Sequence, residues 1–204
     1  AEALLRWQHP EVGLMPPGRF IPIAEQNQMI GAMGRWALRA ACRHLRDWKD
    51  NGVDLVRVSV NVSLVQFLVT DFPAEVERAL SDFNVPAEAL SLEITESVFE
   101  RQSDRMRAEM RKLSELGVRL SLDDFGTGFS SLRYLQQYPF HEIKIDRVFT
   151  DAVLTDEYSR EIVMSVLKIA DAIEAEVVAE GIESAEIAEA LLEMGCRIGQ
   201  GYYF

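Results

Sequence analysis

The sequence predicts an α/β fold, and within that class a (β/α)8 barrel of the TIM-like kind. Short apolar runs alternate along the chain with segments of helical spacing, which indicates parallel strands joined by right-handed crossovers. Polar side chains stand at or just beyond the C-terminal ends of successive predicted strands. The 204 residues are enough to bury a substantial core without disulfides or a structural metal.

The strands are predicted from short β-type runs bounded by turn residues. In the first of them, LVRVSVNV, apolar and polar residues alternate with period two. The predicted strands are Leu55–Val62, Ala89–Thr95, Val118–Leu122, Glu142–Ile145 and Glu176–Ala179, with Ile198–Phe204 as a weaker candidate.

The helices are predicted from apolar residues that recur at intervals of three and four. Gly117 and Gly195 follow two of these segments, as glycine commonly does at a helix C-terminus. The predicted helices are Gly34–Asp50, Phe72–Phe83, Asp104–Leu116, Arg160–Ala175 and Ala185–Met194.

Two architectures fit this alternation, a doubly wound open sheet and a barrel. The polar strand-end residues favour the barrel, because all its C-terminal strand ends open on one face, where catalytic groups gather. An open sheet would bring together only the groups near a switch point. The strand-end residues are Asn61, Glu93, Asp123, Asp124, Lys144 and Glu180.

The bulk composition limits the partners. A formal net charge of −12 disfavours a DNA or RNA duplex, because phosphate binding needs a basic face. A small phosphate ligand still fits if a metal bridges the like charges. The two cysteines, Cys42 and Cys196, form no paired motif, so we expect both thiols to be reduced. Reduced thiols indicate a cytoplasmic location, either as a cytoplasmic protein or as the cytoplasmic part of a membrane-anchored parent protein.

The strand-end side chains share one chemistry. Taken singly, each has an ordinary explanation as a turn, a helix cap or a surface residue. Together they supply hard oxygen donors without histidine or thiolate, which suits Mg²⁺ or Mn²⁺, and their number allows two ions. Lys144 is the cation among them and could offset charge on a phosphoryl oxygen. The set indicates metal-assisted phosphoester hydrolysis.

Seven blocks of the sequence, in order along the whole chain, resemble the EAL-domain family. They are EALLRW at 2–7, VNVSLVQF at 60–67, LEITES at 92–97, DDFGTGFSSL at 123–132, IKID at 143–146, AEGIE at 179–183 and GQGYYF at 199–204. The resemblance implies a phosphodiesterase that hydrolyses cyclic di-GMP, a bacterial second messenger, to linear pGpG.

The resemblance also implies roles for individual residues. The metal ligands would be Glu2, Asn61, Glu93, Asp123, Asp124 and Glu180. The catalytic residues would be Lys144, Glu180, Glu2 and Asp124, with Glu180 also positioning the attacking water. The substrate contacts would be Leu4, Arg6, Asp146 and Gln200, where Arg6 meets a ligand phosphate and Gln200 lies near the reacting water.

The glycine-rich loop after Asp124 has a role in the family too. Gly126 and Gly128 permit backbone angles closed to other residues, and the resemblance implies a mobile loop that Glu96 holds in place. It also implies a homodimer, and fusion to sensory or GGDEF-type domains in a longer chain. We expect residues 1–204 to be one such domain, cut short at both ends.

Three other functions remain open. The first is a catalytically silent cyclic di-GMP receptor, since relatives that lose metal ligands act in that way. The second is an unrelated metal-dependent barrel enzyme acting on another phosphoester. The third is a structural interaction domain, which the concentration of carboxylates argues against because their repulsion would be uncompensated.

Overall fold

Parallel strands alternate with helices along the chain, as the sequence predicts. The computed structural model describes residues 1–53, 57–96, 104–126 and 135–204. It divides into two compact units. The first takes in Ala1–Ile94 and Ser103–Arg119, and the second takes in Thr95–Gln102 and Leu120–Phe204.

Three parallel strands organise the first unit, where β1 pairs with β4 and β4 pairs with β5. A short antiparallel hairpin, β2–β3, follows β1. The strands are β1 (Glu2–Ala3), β2 (Trp7–His9), β3 (Gly13–Met15), β4 (Val58–Asn61) and β5 (Leu90–Thr95).

The helices of the first unit are α1 (Pro17–Gln26), α2 (Ile30–Asp50), α3 (Leu64–Val69), α4 (Phe72–Phe83) and α5 (Asp104–Glu115). The long helix α2 buries one apolar stripe, which includes Leu38, Ala41 and Leu45. Its polar side contacts α4 through ion pairs from Arg35 to Glu75 and from Arg39 to Asp82.

Four parallel strands organise the second unit, in the order β6–β7–β8–β9. They are β6 (Arg119–Phe125), β7 (Glu142–Ile145), β8 (Glu176–Ala179) and β9 (Ile198–Gly199). The helices are α6 (Arg147–Ala152), α7 (Glu157–Ala172) and α8 (Ala185–Glu193). All four residues of β7 are buried.

Most predicted elements are confirmed, with shifts at their ends. The strands at 142–145 and 176–179 and the helix at 72–83 have the predicted bounds. The last predicted strand is wrong beyond Gly199, since residues 200–204 form a turn in which Phe204 N–H donates to the carbonyl of Gly201. In the predicted strand at 55–62, residues 55 and 56 lie outside the described residues.

Cys42 and Cys196 are buried free thiols. Within the described part of the chain, every helix is too short or too polar to cross a membrane.

Candidate functional site

Four of the predicted site residues meet at the C-terminal ends of three neighbouring strands in the second unit. We call Asp123, Asp124, Lys144 and Glu180 the lysine cluster. The two aspartates lie at the end of β6, Lys144 lies in β7, and Glu180 directly follows β8. Parallel pairing of these strands brings their carboxyl ends to one edge, so the cluster follows from the topology.

A backbone irregularity lets two adjacent aspartates serve one site. Consecutive side chains of a regular strand point to opposite faces. Here Asp124 has φ +55°, in the left-handed region, and the register between β6 and β7 shifts between Leu122 and Phe125. Asp123 and Asp124 therefore both direct a carboxylate oxygen towards Glu180, although they are neighbours in a strand.

Lys144 is the cation at the centre of the cluster. Its side chain is only 3% exposed, and Nζ lies 2.5 Å from Oε1 of Glu180 and 3.2 Å from Oδ1 of Asp123. A buried ammonium is tolerated only when carboxylates compensate it. The lysine is thus held at a defined point between two elements, β6 and the end of β8.

Asp124 has a raised pKa, chiefly because it is buried. Its burial, followed by repulsion from Asp123 and Asp146 and a hydrogen bond with Asp146, raises its pKa to about 6 from the usual 3.8. The charge of Lys144 opposes this shift without cancelling it. Asp124 is therefore a carboxyl group that a positive charge at this point would help to ionise.

The lysine cluster fits a divalent cation. One carboxylate oxygen from each of Asp123, Asp124 and Glu180 lies within 4.8 Å of the others. Three carboxylates face a single ammonium, so the group carries an excess of negative charge. Oxygen ligands of this kind are those that Mg²⁺ and Mn²⁺ prefer.

The other three predicted ligands lie in the first unit, and we call Glu2, Asn61 and Glu93 the glutamate cluster. Asn61 ends β4 and stands directly opposite Glu93 of β5 in the register. Its side-chain Nδ2 donates a hydrogen bond to Oε1 of Glu2, at 2.8 Å. Glu93 is only 2% exposed, so a carboxylate lies at depth beside the more exposed Asn61.

The predicted substrate contacts lie beside these clusters in the chain. Leu4 and Arg6 follow β1 and are exposed, and Arg6 donates to the carbonyl of Leu5. Asp146 follows Lys144 by two residues and caps α6, where its Oδ1 accepts from the N–H of Val148 at 2.8 Å.

Gln200 is placed by the backbone that flanks Glu180. Its N–H donates to the carbonyl of Ala179, and its own carbonyl accepts from the N–H of Ile182. The residue predicted to lie near the reacting water is thereby held next to the chain segment that carries Glu180.

Of the glycine-rich loop and the residue predicted to hold it, the structure describes Gly126 and Glu96. Gly126 has φ +100°, so the backbone freedom predicted for it is used. Gly128 and the rest of the loop from 127 to 134 lie outside the described residues. Glu96 is buried at the end of the segment before 97–103, which is also outside them, so its loop-holding role stays a prediction.

Sequence reasoning missed a set of polar residues behind Asn61. Just after β4, Ser63 donates its N–H to Oε1 of Gln66 and its hydroxyl to Oε1 of Glu25. Ser63-x-x-Gln66 is a capping-box spacing, and that signal could have predicted both α3 and its start. No local pattern pointed to Glu25, which is distant in the chain.

Comparison with known proteins identifies the family. The model of the family described as "EAL domain" matches residues 1–204. Over 201 residues the chain is 40% identical to MucR of Pseudomonas aeruginosa, which is described as a bifunctional diguanylate cyclase/cyclic di-GMP phosphodiesterase. The aligned region takes in 98% of this chain and 29% of MucR. Over 203 residues it is 39% identical to the oxygen sensor protein DosP of Escherichia coli, covering 100% of this chain and 25% of that protein.

A solved structure gives the same result for the fold. The structure described as "PaMucR Phosphodiesterase, c-di-GMP complex" matches 98% of this chain and 81% of its own, with 40% identity and a TM-score of 0.92. This likeness confirms the predicted TIM-like α/β fold class. The chain spans only about a quarter to a third of the length of the two curated relatives. The chain belongs to the EAL domain family.

Proposed function

We propose that this chain is a metal-dependent phosphodiesterase that hydrolyses cyclic di-GMP to linear pGpG. The observation that carries the proposal is the lysine cluster, in which a buried ammonium and three carboxylates converge at the ends of β6, β7 and β8. Membership of the EAL family and the description of MucR as a cyclic di-GMP phosphodiesterase support the choice of substrate.

The reaction adds water across one phosphodiester bond. The water oxygen bonds to phosphorus, the bond from phosphorus to the 3′ oxygen breaks, and that oxygen takes up a proton. Divalent cations held here would lower the pKa of the water and neutralise phosphoryl charge. We propose Mg²⁺ or Mn²⁺, with two ions held by Glu2, Asn61, Glu93, Asp123, Asp124 and Glu180.

The protein groups divide the remaining work. Lys144 presents its ammonium to charge that develops on a phosphoryl oxygen, and its two carboxylate partners hold it in place. Glu180 orients the attacking water. Asp124, whose carboxylate lies close to that of Glu180, acts as a metal ligand beside that water. Leu4, Arg6, Asp146 and Gln200 contact the dinucleotide, with the exposed Arg6 on a phosphate.

The setting of the domain is proposed from the same family. Residues 1–204 would act as one EAL domain, fused to or regulated by sensory or GGDEF-type domains, since the curated relatives are several times longer than this chain. Glu96 would hold the loop after Asp124, and that loop would support a homodimer. Two buried free thiols suit the reducing cytoplasm, where we place the domain.

Incubation with cyclic di-GMP and Mg²⁺ or Mn²⁺ tests the proposal, with products separated and identified by mass. We expect pGpG to accumulate only when the metal is present. Tight binding of cyclic di-GMP with no product would instead identify a receptor. Turnover of a different phosphoester without binding of cyclic di-GMP would identify another kind of metal-dependent hydrolase.

A further inference from the structure

We propose that Glu25, Ser63 and Gln66 are positioning residues that hold Asn61 in its place in the glutamate cluster. The inference rests on the proposed function, in which Asn61 is a metal ligand. None of the three belongs to the ligand set. They lie behind it, on α1, at the start of α3 and within α3, and they meet two residues after Asn61.

Ser63 uses its hydroxyl in two directions at once. As the N-cap of α3, its Oγ accepts a hydrogen bond from the N–H of Val65. The same hydroxyl donates to Oε1 of Glu25, at 2.6 Å. A hydroxyl has only one proton to donate, and a charged acceptor holds it firmly. The start of α3 is thereby tied to α1.

Gln66 holds the backbone of the same residue. Its Oε1 accepts from the N–H of Ser63 at 3.1 Å, which completes a capping box. Gln66 is only 3% exposed, and its side chain lies against Gly34 of α2. A β-carbon at residue 34 would come within 2.2 Å of the Gln66 amide nitrogen, so α2 carries glycine where the amide needs the space.

The geometry leaves Asn61 little freedom on its C-terminal side. The next residue, Val62, donates its N–H to the carbonyl of Glu93, which extends the pairing of β4 with β5 past Asn61. Ser63 is then held by Glu25 and Gln66, with no spare residue between the two anchors. Release of Ser63 would leave Val62 as the one remaining anchor, among the described residues, between α3 and Asn61, the residue whose Nδ2 meets Glu2.

The test is a titration with Mn²⁺, in which the loss of the free-ion electron paramagnetic resonance signal reports binding without requiring turnover. We expect Glu25→Ala and Ser63→Ala each to weaken Mn²⁺ binding about tenfold, the size usual when a partner that orients a metal ligand is removed. Glu25→Gln retains an oxygen that accepts from Ser63, so it should bind Mn²⁺ as the wild type does.

Asp71→Ala is the matched control. Asp71 caps α4 in the same unit, where its Oδ1 accepts from the N–H of Ala74, and the whole of α3 separates it from Asn61 at the end of β4. The control should lower the midpoint of thermal unfolding without changing Mn²⁺ binding. If Ser63→Ala does not fold, Glu25→Ala decides the question, because it leaves the helix cap itself intact.

Four outcomes distinguish a failure of the positioning role from a failure of the proposed function. If Glu25→Ala binds Mn²⁺ as tightly as the wild type, or if Glu25→Gln is as weak as Glu25→Ala, the positioning role is overturned. Wild-type protein that binds Mn²⁺ without hydrolysing cyclic di-GMP would contradict the proposed function and leave the positioning result standing. Wild-type protein that binds no Mn²⁺ would overturn the positioning role together with the metal site.

Discussion

At the level of single residues, the sequence predicts which side chains gather in the lysine cluster but not how two adjacent aspartates share it. Strand-end position and residue type are local properties, and they point to Asp123, Asp124, Lys144 and Glu180. The left-handed backbone of Asp124 depends on the pairing of β6 with β7, which no local pattern records. The ion pairs of Lys144 likewise depend on contacts between distant segments.

Lys144→Met should lower turnover of cyclic di-GMP by about 10²- to 10³-fold, the usual loss when one group that stabilises transition-state charge is removed. Methionine keeps an unbranched side chain that is one atom shorter and removes the ammonium, so the loss reports chiefly the charge. The midpoint of thermal unfolding without metal should also fall, because Asp123 and Glu180 lose their shared counter-ion.

Lys168→Met is the control for this variant, since Lys168 is an exposed lysine on α7 of the same unit. It should leave turnover and stability as in the wild type. Wild-type turnover by Lys144→Met at saturating Mn²⁺ would show that the ammonium takes no part in the reaction.

Glu2→Gln separates two roles of Glu2. The amide oxygen can still accept the hydrogen bond from Asn61 Nδ2, but the charge is gone. If Glu2 binds metal, the Mn²⁺ concentration for half-maximal turnover should rise at least about tenfold, while the urea midpoint without metal stays close to that of the wild type. An unchanged Mn²⁺ requirement would reduce Glu2 to a hydrogen-bond partner.

The raised pKa of Asp124, at about 6, predicts how metal binding depends on pH. Below that value the folded protein holds a proton that a metal must displace, so Mn²⁺ affinity should fall as the pH drops through about 6. Without metal the sign for stability is opposite. The folded state binds more of this proton than the unfolded state between about pH 4 and about pH 6, so this group's contribution declines as pH rises through that window.

Mn²⁺ titrations at about pH 5 and about pH 7 check this prediction, with Asp124→Asn as the comparison. The wild type should bind Mn²⁺ more weakly at the lower pH, and the variant should show a smaller difference between the two. An equal pH dependence in both proteins would assign the titration to another group.

At the level of elements, the strongly periodic segments were predicted and the short or proline-containing ones were not. The helix at 72–83 has its predicted bounds because its apolar stripe is regular. Helix α1 was missed because Pro16, Pro17 and Pro22 suggest a loop, although proline at a first helical position is favourable. Helix α3 is six residues long, too short for periodicity to identify.

Gly126→Ala should destabilise the protein by about 1–3 kcal/mol, as expected for a non-glycine residue forced into a sparsely populated backbone region. Gly126 has φ +100°, and a β-carbon there would lie 2.8 Å from Cε2 of Phe149. Urea unfolding measures the change. Adding Phe149→Leu should recover only part of the loss, because the backbone strain remains.

Gly18→Ala is the contrasting substitution. Gly18 lies in α1 with no atom within 4 Å of a β-carbon and with no positive φ, so alanine there should stabilise the protein by roughly 0.5–1 kcal/mol. Equal effects at the two glycines would show that the turn after Asp124 does not require its left-handed backbone.

At the level of the whole molecule, the alternation of strands and helices predicts the α/β class, and the polar strand-end residues favour the barrel within it. Parallel strands need crossover connections, and the chain supplies helices between them. The net charge of the chain also bears on which ligands it can bind. With a formal net charge of −12, the proposed binding of an anionic dinucleotide would require local cations, and the buried Lys144 and the exposed Arg6 are candidates for that role.

The most direct test of the central claim is hydrolysis of cyclic di-GMP in water labelled with heavy oxygen, at saturating Mn²⁺ and again after chelation of the metal. We predict pGpG that carries one heavy oxygen in its terminal 5′ phosphate, and no product after chelation. Cyclic di-GMP recovered intact from a protein that has bound both the nucleotide and Mn²⁺ would contradict the account.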